Sequence, residues 1–116
     1  MLRRMCKSKI AGAKVTEAQV HYEGSITIDD ELLKAVDILP GEKVEVLNLN
    51  NGSRIETYAI SGEKGSGVIC LNGAAAHSGK IGDGLIILAY CLVEDKQARD
   101  IKLRFVKVNE KNRISR

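Results

Sequence analysis

Gly41-Glu42-Lys43-Val44-Glu45-Val46-Leu47 and Gly82-Asp83-Gly84-Leu85-Ile86-Ile87-Leu88 share one pattern: a glycine, an acid, a variable residue, then an apolar strand. A glycine-acid turn feeding a strand, twice in 116 residues, points to two similar halves closing into one barrel, since closure removes exposed sheet edges. On pattern alone, two unrelated turns that share common turn residues give the same signal. Most apolar segments on either side are also short and bounded by Gly, Asn or Asp, the rhythm of strands joined by turns.

Strands are expected at 14–20, 25–28, 43–49, 54–60, 68–71, 85–92 and 101–108. Asn51-Gly52 favours the positive φ angles of a tight hairpin turn, so 43–49 and 54–60 should pair. A short helix is expected over 29–36, where Asp29, Asp30 and Glu31 load the first turn with negative charge that suits the helix dipole. Leu32, Leu33 and Val36 give it one apolar face. The chain is thus mainly β with a few short helices, and the two glycine-acid turns resemble those of double-psi β-barrels.

The length fits a single domain, 1–116, and 44% hydrophobic with 28% charged residues separates the chain from disordered sequences. With no Trp, one Phe and three Tyr, its core must be aliphatic. Met1-Leu2-Arg3-Arg4-Met5 is basic but no long apolar run follows, so neither a signal peptide nor a membrane span is expected, and a cytoplasmic location follows. Cys6, Cys70 and Cys91 are odd in number and scattered, without a CxxC pair or a histidine at metal spacing, and read as reduced thiols with no metal site. A net charge of +3 is too weak to imply nucleic acid, though it favours an anionic small molecule.

Conventional catalytic sets are mostly missing. His21 and His77 are the only histidines, and no H-E-x-x-H, G-x-S-x-G or P-loop pattern occurs. Gly62-Glu63-Lys64-Gly65-Ser66-Gly67 lacks the spacing of a phosphate-binding loop and reads as a flexible connection. Three other segments carry weight together: Tyr22-Glu23-Gly24-Ser25, Arg54-Ile55-Glu56-Thr57-Tyr58 and Asn72-Gly73-Ala74-Ala75-Ala76. In order and spacing, from Met1 to about Val93, they resemble the pyruvoyl-dependent aspartate 1-decarboxylase family.

That resemblance implies a proenzyme that cuts itself between Gly24 and Ser25 into residues 1–24 and 25–116, with Ser25 becoming a covalent pyruvoyl group. Such a ketone forms a Schiff base with an amine and withdraws electrons from it, so no pyridoxal lysine is needed. The implied reaction converts L-aspartate to β-alanine and CO2 for pantothenate and coenzyme A synthesis. By the same resemblance Thr57 supports self-processing, Tyr58 is the proton donor, and backbone groups of Gly73, Ala74 and Ala75 line the pocket, with Tyr22 and Asn72 in support. Arg54, whose planar guanidinium can grip a carboxylate with two parallel hydrogen bonds, is the first candidate for substrate binding, and Lys9 is the second. The family is homotetrameric, with active sites between neighbouring subunits.

Each segment also has a plainer reading. Gly-Ser is a common loop dipeptide, Arg54, Thr57 and Tyr58 suit a solvated strand face, and Ala74-Ala75-Ala76 suits one helical turn. A DNA-binding barrel of the swapped-hairpin type also uses a glycine-acid turn before an apolar strand, but it leaves Asn72 to Ala76 and Thr57-Tyr58 without a purpose. One departure stands out: many family members carry His-Arg where this chain has Ala11-Gly12, which removes a cation and an imidazole near the expected pocket.

Overall fold

Gly41 and Gly82 both hold the left-handed φ that their turns require, 88° and 92°. In this computed structural model, which describes residues 1–22 and 24–115, each turn feeds a strand: β4 (Lys43–Asn48) and β7 (Gly84–Glu94). Glu23 of the Tyr22–Ser25 segment and Arg116 at the end of the basic tail lie outside the described residues. β4 and β7 pair antiparallel with Val46 opposite Ile87, flanked by Glu45 opposite Leu88 and Leu47 opposite Ile86. Val46 and Ile87 occupy equivalent positions in the repeated pattern, so the pair has local two-fold symmetry and the turns belong to two related halves.

The remaining strands are β1 (Leu2–Lys14), β2 (Glu17–Gln19), β3 (Ser25–Asp29), β5 (Arg54–Gly62), β6 (Ile69–Asn72) and β8 (Arg104–Lys107). Their order in the sheet is β2-β6-β3-β5-β4-β7-β1-β8. Twice, two strands consecutive in the chain are split by a third that bonds to both: β3 runs parallel to β5 and antiparallel to β6, and β1 runs antiparallel to β7 and parallel to β8. These are the two psi arrangements of a double-psi β-barrel, as expected. Its core is aliphatic, built on Ile10, Ile26, Ile28, Ile69, Leu71, Leu85 and Ile87.

Helix α1 (Asp30–Val36) starts where its acids predict and buries Leu32, Leu33 and Val36. Asp29 Oδ1 caps it by accepting from Glu31 N at 2.9 Å. The 43–49/54–60 pairing holds, but the connection is wider than a tight two-residue turn. Only Gly52 takes positive φ, while Asn48 Oδ1 accepts from the backbone N–H groups of Asn50 and Asn51.

The chief difference from expectation is β1, a 13-residue strand where none was expected before residue 14. Its cations Arg3, Arg4, Lys7 and Lys9 break the apolar alternation, and the strand buries only Ser8, Ile10 and Ala13. Backbone pairing to β7 on one side and β8 on the other defines it. Correspondingly, the strand expected at 14–20 shrinks to β2, and that at 101–108 to β8. A helical turn, α2 (Asp95–Ala98), and a 3-10 helix (Gly73–Ser78) complete the chain.

Candidate active site

Ser25 and Thr27 on β3 lie opposite Asn72 and Cys70 on β6. Cross-strand partners share a face, so these four polar side chains form one patch while Ile26, Ile28, Ile69 and Leu71 fill the core on the other. Ser25 is fully buried and Asn72 is 3% exposed. Asn72 Nδ2 donates to Ser25 Oγ and to Thr27 Oγ1, both at 2.9 Å, and Asn72 Oδ1 accepts from Cys70 Sγ at 3.2 Å.

Gly73 follows at φ 62° and packs directly on the chain before Ser25. A Cβ there would fall 2.3 Å from the Tyr22 carbonyl oxygen and 2.7 Å from the Gly24 nitrogen, closer than any real Cβ contact. The steric demand for glycine therefore falls on 73. At Gly24 a Cβ would meet nothing within 4 Å. Behind Gly73, Ala75 is buried and Ala74 exposed.

β5 approaches from the other side of β3 with Ile26 opposite Ala59, both in the core. One step back along this register, Ser25 comes level with Tyr58 on the opposite face; a further step carries Gly24 toward Thr57. Thr57 is half-buried and Tyr58 is 39% exposed, so the phenol is open to a ligand.

Arg54 and Lys9 are not brought to this junction. Arg54 lies four positions before Tyr58 on β5, about 13 Å along a strand. Its guanidinium pairs with Glu45 at 3.1 Å. Both belong to a cleft of about 610 Å³ shared with Arg4, Lys43, Glu56 and Tyr90. Burial, reinforced by a hydrogen bond to the Glu45 carboxylate, pushes the Tyr90 phenol above its ordinary pKa. Lys9 lies on β1, which does not pair with β3, and its ammonium lies 5.8 Å from the centre of the Phe105 ring.

Of the Ala11-Gly12 departure, the glycine has a local counterpart in the structure. Gly12 holds φ 81° at an irregularity in the β1–β7 register, and a Cβ there would fall 2.6 Å from the Val108 carbonyl oxygen. The chain following β8 occupies the space an arginine needs. Cys70, Thr27 and Glu45 join these sites without a motif of their own; the sequence signal for the first two is the i, i+2 spacing of Cys70 with Asn72 and of Ser25 with Thr27, one strand face each.

Among the described residues no group of three or more His, Cys, Asp or Glu could hold a metal ion, and no helix is long and apolar enough to cross a membrane. The sequence matches the aspartate decarboxylase family over residues 1–115. It is 53% identical to the aspartate 1-decarboxylase of Thermoanaerobacter pseudethanolicus, covering 97% of both chains. Against that of Carboxydothermus hydrogenoformans it is 56% identical, over 98% of this chain and 90% of the relative. The Listeria monocytogenes enzyme is 54% identical with the same coverage. A rationally designed protein, mkDPBB_sym_86, superposes with a TM-score of 0.49 at 15% identity, over 68% of this chain and 91% of its own. The match includes Thr57-Tyr58 and Asn72 to Ala76, which the DNA-binding alternative leaves without a purpose, and the chain belongs to the aspartate decarboxylase family.

Proposed function

We propose that this chain is a proenzyme that cuts itself between Gly24 and Ser25 and, with a pyruvoyl group derived from Ser25, decarboxylates L-aspartate to β-alanine for pantothenate synthesis. The observation that carries the reading is the buried Ser25 Oγ, held at 2.9 Å by Asn72 beside a junction that only glycine at 73 lets the chain approach. Asn72 Nδ2, a donor aimed at position 25, suits the carbonyl oxygens of a keto-amide as well as the serine hydroxyl.

In the self-cleavage, Ser25 Oγ attacks the Gly24 carbonyl carbon, and the peptide bond is exchanged for an ester. Donors must meet the oxyanion formed on Gly24; Thr57, next along the register, is the candidate. Loss of the Ser25 α-proton breaks the Cβ–Oγ bond and frees the Gly24 carboxylate as the end of residues 1–24. Water then hydrolyses the dehydroalanine left at position 25, releasing ammonia and leaving the ketone.

The pyruvoyl ketone supplies an electron sink for the substrate's α-carbon when CO2 leaves. Tyr58, one register step before the Ile26–Ala59 pair, returns a proton from its phenol to that carbon. Backbone groups of Gly73, Ala74 and Ala75 wall the pocket, and Arg54 and Lys9 hold the carboxylates. Because both cations lie away from Ser25 in their own chain, they act on the junction of a neighbouring copy, and the working form is a homotetramer with sites at subunit interfaces. The proposed location is the cytoplasm.

Purified protein given L-aspartate should release β-alanine, read by NMR, and borohydride added during turnover should fix a substrate-derived mass on residues 25–116. Ser25→Ala should do neither. Equal decarboxylation by that variant rejects Ser25 as the source of the cofactor.

A further inference from the structure

We infer that Cys70 is a positioning residue for the self-cleavage, its thiol proton fixing the orientation of the Asn72 amide that holds Ser25 Oγ. The inference rests on the self-cleavage reading above and adds the group that sets its geometry. An asparagine amide can present oxygen or nitrogen to the same neighbour, and the network around it decides which. Two of the three side chains on Asn72, Ser25 and Thr27, are hydroxyls that donate or accept with equal ease.

The third, Cys70, is a weak donor and a weaker acceptor, and it lies 3.2 Å from Oδ1. Its contact to the Leu71 carbonyl is longer, at 3.9 Å. Burial, then the charge of the Glu17 carboxylate on neighbouring β2 and its capacity to accept from the thiol, raises the thiol's pKa, so it remains a protonated donor at neutral pH, with Asn72 Oδ1 the acceptor at hydrogen-bond distance. With Oδ1 engaged by the thiol, Nδ2 must point at Ser25, whose oxygen accepts. In the flipped amide Oδ1 would draw the Ser25 hydrogen toward Asn72 and turn the attacking lone pair. Without the thiol proton, the two orientations compete for the same hydroxyls.

The test compares Cys70→Ser, which keeps a donor, with Cys70→Val, which fills the site with an apolar side chain and loses it. The uncut fraction of freshly made full-length chain is followed over time by intact mass, and melting is recorded for each protein. The parent and Cys70→Ser should cleave within about twofold of each other, and Cys70→Val about tenfold more slowly. Should the valine variant fail to fold, Cys70→Ala removes the same donor and takes its place. Parental cleavage by the donor-free variant overturns the inference, as does a serine variant as slow as the valine one. A parent chain that never cleaves overturns the self-cleavage reading itself and this inference with it.

Discussion

At Gly73 a single carbon decides whether the junction before Ser25 can lie where it does, because a Cβ there strikes the backbone of Tyr22 and Gly24 rather than any movable side chain. Gly73→Ala also forces φ 62° on a residue that resists it, at about 1–3 kcal/mol. Urea denaturation should show that loss, and intact mass should show cleavage slowed at least about tenfold. Gly24→Ala, with open space around it, should stay within about 0.5 kcal/mol of the parent in the same denaturation. Parental cleavage by Gly73→Ala would mean that the close approach is incidental. Ser25, Asn72 and Tyr58 were legible because their segments resemble a family. Cys70 and Thr27 were not: their place beside Asn72 exists only through the β3–β6 register, and nothing local to 70 or 27 specifies which strands pair.

Among the elements, the segment after β8 is held by the apolar Val108 and by one buried polar side chain. Asn112, 1% exposed and at φ 58°, accepts from Lys14 N and donates to the carbonyls of Lys14 and Gly67. Asn112→Ala leaves those groups unpaired, and a loss of about 1–3 kcal/mol should appear in denaturant melts; an unchanged midpoint would show that water replaces the clamp. At the second glycine-acid turn, hydrogen bonds from the Asn48 side chain and then the Lys80 backbone hold the Asp83 carboxyl below the usual carboxylate range. Its folded pKa lies below the unfolded one, so the stability it contributes is present above about pH 4 and is lost as pH falls through the folded value. Asp83→Asn should therefore be less stable than the parent at neutral pH, with the gap closing below about pH 4; a pH-independent gap would contradict that assignment. The sequence made this turn readable because glycine, acid and apolar strand are contiguous. β1 was unreadable, because its cations break the apolar alternation and its strand character comes from partners about 70 to 96 residues away.

For the whole molecule, the separation of Arg54 and Lys9 from Ser25 has a direct consequence. Arg54→Ala alone should lower kcat/KM by about 10- to 100-fold, the loss of a charged carboxylate contact. Ser25→Ala alone should be inert. Co-expressed as mixed oligomers, the two should regain activity, since some interfaces then combine an intact Arg54 with an intact Ser25 from the neighbouring copy. Activity no greater than the Arg54→Ala parent provides would show that each chain builds its whole site.

Beneath all of these lies the claim that position 25 becomes a ketone at a new chain end, and intact mass of the purified protein tests it most directly. The account predicts residues 1–24 together with residues 25–116, the larger piece lighter than its sequence by one ammonia. One uncut chain of 116 residues, folded and carrying an unmodified serine, would contradict it.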